Sequence, residues 1–152
     1  MSSNLHRFRQ GLRAARGITL IELLTVIVVI ALLATLAVPS YRSYLLRAQR
    51  TEAKTALLQL QAAQEKYYLQ HHTYTDEIEK APPDGLGLSA TTESGFYEIK
   101  VELDDDGQGY TATATPRPGG GQADDTKCTS LSITDTGKRD ATGPGGVDYC
   151  WR

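Results

Sequence analysis

The chain has 152 residues, with 16 Lys+Arg against 18 Asp+Glu and a formal net charge of -2 at pH 7. That length suits one domain, and the charge balance excludes a strongly basic nucleic-acid module. Two cysteines exclude a disulfide-dense scaffold and a four-cysteine zinc site.

Charge and hydropathy are unevenly distributed. Residues 1–16 carry Arg7, Arg9, Arg13 and Arg16 and no acid, and Gly17 follows. The next 21 residues, Ile18 to Val38, hold one charge, Glu22. A helix of that length spans ~30 Å, the hydrocarbon thickness of a bilayer. Basic residues before the apolar run predict a cytoplasmic N-terminus and an extracytoplasmic chain beyond Pro39. A secretory signal peptide with a small-residue site near Thr35–Ala37 and a plain single-span anchor both fit that outline. Neither has a use for Glu22. A carboxylate in an apolar span is costly and usually functional, with a partner.

The junction Gly17-Ile18-Thr19-Leu20-Ile21-Glu22-Leu23 resembles the leader junction of type IV prepilins, usually G-F-T-L-I-E. The resemblance implies cleavage between Gly17 and Ile18 by a prepilin peptidase, and methylation of the new terminus at Ile18. Ile18 departs from the commoner phenylalanine, which changes the identity of the methylated residue. Cleavage would remove the four leader arginines and leave the apolar helix on the mature protein. Glu22 would then lie about one helical turn from the new ammonium. In stacked subunits its carboxylate can meet a neighbour's ammonium, lowering the cost of burying both and setting register.

Helical spacing continues past the apolar run. Ala53, Ala56, Leu57, Leu60, Ala63 and Tyr67 form an i, i+3, i+4 stripe, with Arg50, Lys54, Gln61 and Glu65 read as the polar face. The pattern predicts one helix from about Ile18 to His71, bent at Pro39. After the loop Pro82–Ala90, alternation predicts a strand with Tyr97, Ile99, Val101 and Leu103 on one face. Asp104–Gly109 reads as a turn. Tyr110, Ala112 and Ala114 mark a second strand, and Leu131 and Ile133 a third. A short fourth is expected around Lys138–Ala141. So small a sheet needs a cover, and the helix stripe supplies one. The fold class expected is α+β: a long N-terminal helix, membrane-spanning in its first half, packed on a small antiparallel sheet of 3–4 strands. Residues 1–17 read as a leader, 18–41 as the membrane or fibre-core half-helix, and 42–152 as a periplasmic head. Cys128 and Cys150 enclose a Gly-rich end. In an oxidising compartment a disulfide is expected there, against two free thiols.

Further motifs narrow the resemblance. Pro39-Ser40-Tyr41-x-x-Tyr44, Arg50-Thr51-Glu52-Ala53, Glu65-x-Tyr67-Tyr68 with Thr73-Tyr74-Thr75, and the ending Cys150-Trp151 together are similar to PilE-type minor pilins. That resemblance implies a structural subunit of a type IV pilus, not an enzyme, serving pilus assembly or initiation, twitching motility and adhesion. No cofactor is implied. The partners implied are major and minor pilins, the prepilin peptidase, the inner-membrane assembly machinery, a tip adhesin, and inner-membrane lipid before assembly. The head would face the periplasm and the assembled subunit would be extracellular.

Other sites have weaker grounds. From Asp104 the twelfth residue is Thr115, so Asp104-Asp105-Asp106-Gly107 does not fit a calcium loop. His71-His72 reads as a solvated helix end, since adjacent helical side chains diverge. The rival function is a DNA-binding competence pilin. Without the leader, 12 basic residues face 18 acidic ones, a poor general DNA surface. Nucleic acid is therefore not expected as a main partner, save through a local patch of Lys138, Arg139 and Arg152 with Trp151 for stacking. A major pilin remains a further alternative. A type II secretion pseudopilin would share the leader, but the cysteine pair and the Cys-Trp ending argue against it.

Overall fold

The computed structural model describes residues 17–152. The leader arginines Arg7, Arg9, Arg13 and Arg16 lie outside the described residues. Helix α1 runs Leu20–His71 and passes through Pro39. Its start is capped: Thr19 Oγ1 accepts from Glu22 N–H at 3.2 Å, and Thr19 O accepts from Leu23 N–H at 3.1 Å. Thr19 and Glu22 thus stand in the spacing of a capping box, with the carboxylate in the first turn where the helix dipole favours it. At the other end His72 takes a positive φ of 58° and closes the helix.

The chain forms two compact units, one ending at Pro39 and the other running Ser40–Arg152. In the first, the large apolar side chains between Ile18 and Val38 are exposed, Leu36 at 76%. This stretch is long and apolar enough to cross a membrane.

The second unit holds a core. Strands β1 (Tyr97–Leu103), β2 (Tyr110–Pro116), β3 (Ser130–Thr134) and β4 (Arg139–Thr142) form one antiparallel sheet in that order. The register places Ile99 opposite Ala114, Ala112 opposite Ile133, and Leu131 opposite Ala141. One face of the sheet, carrying Tyr97, Ile99, Tyr110, Ala112, Ala114, Leu131 and Ile133, is buried with Ala53, Leu57 and Leu60 of α1. Ala56, Ala63 and Tyr67 flank this core, half-buried. The fold class is α+β as expected, and the sheet has four strands, the upper end of the three to four anticipated.

Four details differ from the sequence reading. Leu103 ends β1 partly exposed, because the strand runs past the helix cover. A 3-10 turn, Gly121–Asp124, and a short helix α2, Gly146–Trp151, were not anticipated. Arg50 is not on the polar face: it is buried, on the same stripe as Ala53, Leu57, Leu60 and Gln64. Spacing puts it there, and a buried carboxylate makes the position tolerable.

Candidate functional site

That carboxylate is Asp125. Arg50 Nε and Nη2 donate to its two oxygens at 2.5 and 3.0 Å, with both side chains almost wholly buried. Burial works against the Arg50 charge, but the hydrogen bonds to Asp125 and Tyr149 outweigh it and raise its pKa. Asp125 also accepts from Gln122 Nε2 at 2.9 Å and from the N–H groups of Lys127 and Cys128 at 3.3 Å. One buried anion thus pins the segment after β2 to α1 and aims Lys127.

Cys128 and Cys150 are joined by a disulfide. It ties the start of β3 to α2, the helix that carries Tyr149 and Trp151. Lys127 O accepts from Gly145 N–H at 2.9 Å and holds the turn entering α2. Trp151 Nε1 donates to Asp140 O at 2.8 Å. Together these contacts fix α2 against β4 and the start of β3.

The result is a cationic face around α2. The Arg139 guanidinium sits 5.0 Å from the Trp151 ring centre. Arg50 and Lys127 sit 4.9 and 5.2 Å from the Tyr149 ring. Arg47, Arg50, Lys54, Tyr149 and Arg152 line a cavity of about 320 Å³. Lys54 Nζ donates to Arg152 O at 2.6 Å. Burial and the charges of Arg50 and Arg139 lower the Lys54 pKa. The Arg50 guanidinium beside the Tyr149 hydroxyl lowers that pKa as well. Ion pairs are formed by Arg42, Arg50, Lys80 and Lys100 among the described residues; Arg47, Lys54, Lys127, Arg139 and Arg152 have none. The acids nearest to them in sequence are Glu52, Asp125, Asp140 and Asp148; Asp125 pairs with Arg50, and none of the four pairs with these five cations.

Of the patch expected from sequence, the structure brings Arg139 and Trp151 into contact and sets Arg152 beside them against Lys54. Lys138 is exposed at the turn before β4 and joins no such contact. Arg47, Lys54, Lys127 and Tyr149 were not anticipated. For two of them a signal existed: Arg47, Arg50 and Lys54 follow i, i+3, i+7 spacing on one helix face. Gly17, Ile18 and Glu22 are exposed at the start of the first unit.

Two family models match the chain. One, described as "Type IV minor pilin ComP, DNA uptake sequence receptor", matches residues 39–132. The other, "Prokaryotic N-terminal methylation motif", matches residues 12–38. The first match stops before β4 and α2, so Arg139, Tyr149, Trp151 and Arg152 are read from the structure alone. No curated protein matches the chain. Among solved structures, a type IV pilin from Shewanella oneidensis is similar at 22% identity and a TM-score of 0.46, covering 62% of this chain and 89% of that one. The leader motif and the exposed apolar helix fit anchoring in the inner membrane followed by incorporation into a pilus. The chain belongs to the type IV minor pilin ComP family.

Proposed function

We propose that this minor pilin is a DNA receptor, binding duplex DNA through the face around α2. The observation that carries this reading is the gathering of Arg47, Lys54, Lys127, Arg139 and Arg152, none of them in an ion pair with an Asp or Glu side chain among the described residues, in a head whose net charge is negative. Net charge argues against DNA binding only if charge is spread evenly. Counterion release depends on the cations that touch phosphates, not on the total. The family description names a DNA uptake sequence receptor, and the face supplies chemistry for that role. The reading as a subunit for assembly, motility or adhesion rests on resemblance, with no surface of the head singled out for it.

The proposed path to the fibre follows the leader. Cleavage after Gly17 frees Ile18 for methylation and leaves Glu22 near the new ammonium. Glu22 then serves assembly by pairing with a neighbour's terminus, in addition to its place in the first turn of α1. The head faces the periplasm before assembly.

The test is DNA binding by the full chain in neutral detergent micelles, read by anisotropy of a labelled duplex across a salt series. Five cations on three to five phosphates predict a slope of log K against log salt between about -2.7 and about -4.5. Arg139→Gln and Lys127→Gln should each weaken binding and reduce the slope by about one. A wild-type protein that shows no salt-dependent binding to any duplex rejects the reading.

A further inference from the structure

The cavity between α1 and α2 has a composition that the broader face does not. Arg47, Arg50, Lys54, Tyr149 and Arg152 line it, with no Asp or Glu among them. Its volume of about 320 Å³ far exceeds the ~10–15 Å³ that one water needs. Arg50 is already committed, with Nε and Nη2 on Asp125. Arg47, Lys54 and Arg152 form no ion pair with an Asp or Glu side chain among the described residues, and Lys54 Nζ donates to Arg152 O at 2.6 Å. Cations converging on a partly enclosed space repel one another; burial first, and then the charges of Arg50 and Arg139, lower the proton affinity of Lys54. An anion entering there gains from each of them, in surroundings drier than bulk water. The two free guanidinium forks suit an anion with several oxygens, and the ammonium and the phenol hydroxyl add single donors.

We infer that this cavity is a phosphate socket, which seats one phosphate group of the bound DNA between Arg47, Lys54 and Arg152, with Tyr149 as a further donor. The inference rests on the DNA reading for the source of the phosphate, but not for the socket itself. Arg139, Trp151 and Lys127 lie round the socket, so that a seated phosphate would set the register of the strand on them. Phosphate contacts of this kind position a duplex without reading its bases. The phosphate can come from within a strand, as a diester, or from a strand end, as a monoester.

The experiment uses the full chain in detergent micelles, with chloride exchanged for inorganic phosphate at constant ionic strength. Phosphate should weaken wild-type DNA binding about tenfold more than chloride, the scale of one charge-assisted contact set. Arg47→Gln and Lys54→Gln should each weaken DNA binding by roughly fivefold to tenfold, lower the salt slope by about one, and abolish the difference between phosphate and chloride. Arg139→Gln should weaken DNA binding and keep that difference. Arg47 is exposed, so its variant decides the matter even where Lys54→Gln fails to fold. Inorganic phosphate alone, followed by 31P line broadening, should bind wild type saturably and not Arg47→Gln. DNA binding with an unchanged phosphate effect in Arg47→Gln overturns the socket and leaves the receptor standing. Phosphate binding that needs Arg47, in a protein that ignores every duplex, keeps the socket and rejects the receptor. Covalently closed circular DNA that competes as well as linear DNA assigns the phosphate to an internal diester. Competition only by linear DNA with 5′-phosphate ends assigns it to a strand end.

Discussion

Leu36 and Leu57 belong to the same helix and meet opposite fates. Leu36 is 76% exposed and Leu57 is fully buried. Between Ile18 and Val38 the first unit carries an exposed apolar surface. The second confines its apolar residues to one stripe and covers them with a sheet. The contrast shows that hydrophobic content alone does not decide burial; a geometric partner does. A helix that is apolar all round needs a surrounding medium, first lipid and then neighbouring helices, whereas an amphipathic helix needs only one complementary face. The charges follow the same division. Glu22 is the one charge between Ile18 and Val38, and in the proposed assembly its partner comes from another molecule. Arg50 in the second has its partner, Asp125, in the same chain.

The comparison can be broken most severely at Gly17. Processing should require a residue without a side chain there, so Gly17→Val should leave the full-length precursor in the membrane and none in sheared fibres. A mature N-terminus at Ile18, found by mass spectrometry in that variant, overturns the assignment.

A second test moves the loss of a charge partner from one unit to the other. Asp125→Ala should destabilise the head by about 3–5 kcal/mol, because it strands the buried Arg50 cation and frees Lys127 and Cys128 N–H groups. Denaturant unfolding in detergent measures it. Glu22→Ala should leave head stability unchanged but lower the ratio of pilus-borne to membrane-borne protein. Equal stability losses in the two variants, or wild-type incorporation of Glu22→Ala, remove the distinction between an internal and an external partner.

The disulfide sharpens the picture within the head. Cys128→Ser opens a loop closed across a sequence separation of 22 and should cost about 3 kcal/mol in the chain-entropy model. Hydrogen exchange should show α2 loosening before the sheet, and DNA affinity should fall with it. Uniform loosening of the whole head contradicts a local staple.

The smallest effect concerns pH. Burial, with help from Glu65, pushes the Tyr74 hydroxyl up to about 12. Its folded-state pKa lies above the ordinary value near about 10. The folded state therefore holds this proton more tightly, and the corresponding stability is full below about pH 10 and lost as pH rises through 12. Tyr74→Phe should flatten the stability profile in that window. An unchanged alkaline slope shows that Tyr74 is not responsible for it.

Much of this was legible in the residues. The unbroken apolar run from Ile18 to Val38, the i, i+3, i+4 stripe from Ala53, and the alternation in Tyr97–Leu103 and Tyr110–Pro116 follow from helical and strand periodicity, which is local. The leader junction is a contiguous motif and needs no fold to be recognised. Pairing of Cys128 with Cys150 required only that two cysteines share one head and that it be expected in an oxidising compartment. Helix α2 escaped because six residues opening on Gly145 and Gly146 carry too little periodicity to register. The burial of Arg50 escaped because a charge was read as a surface mark, although its position on the stripe was local information. Its partner lies 75 residues away, and no periodicity reaches that far.

Sequence by itself thus determined the apolar helix, the strands, the leader and the family, all written in neighbouring residues. Only the tertiary structure decided where charge accumulates. Arg47 and Lys54 come from a helix, Lys127 from the segment after β2, Arg139 from β4 and Arg152 from the end of α2. Their order in the chain separates them by acids, and net charge averages them away. Folding α2 against β4 under the disulfide collects them on one face, because electrostatic potential depends on distance in space and not on distance along the chain.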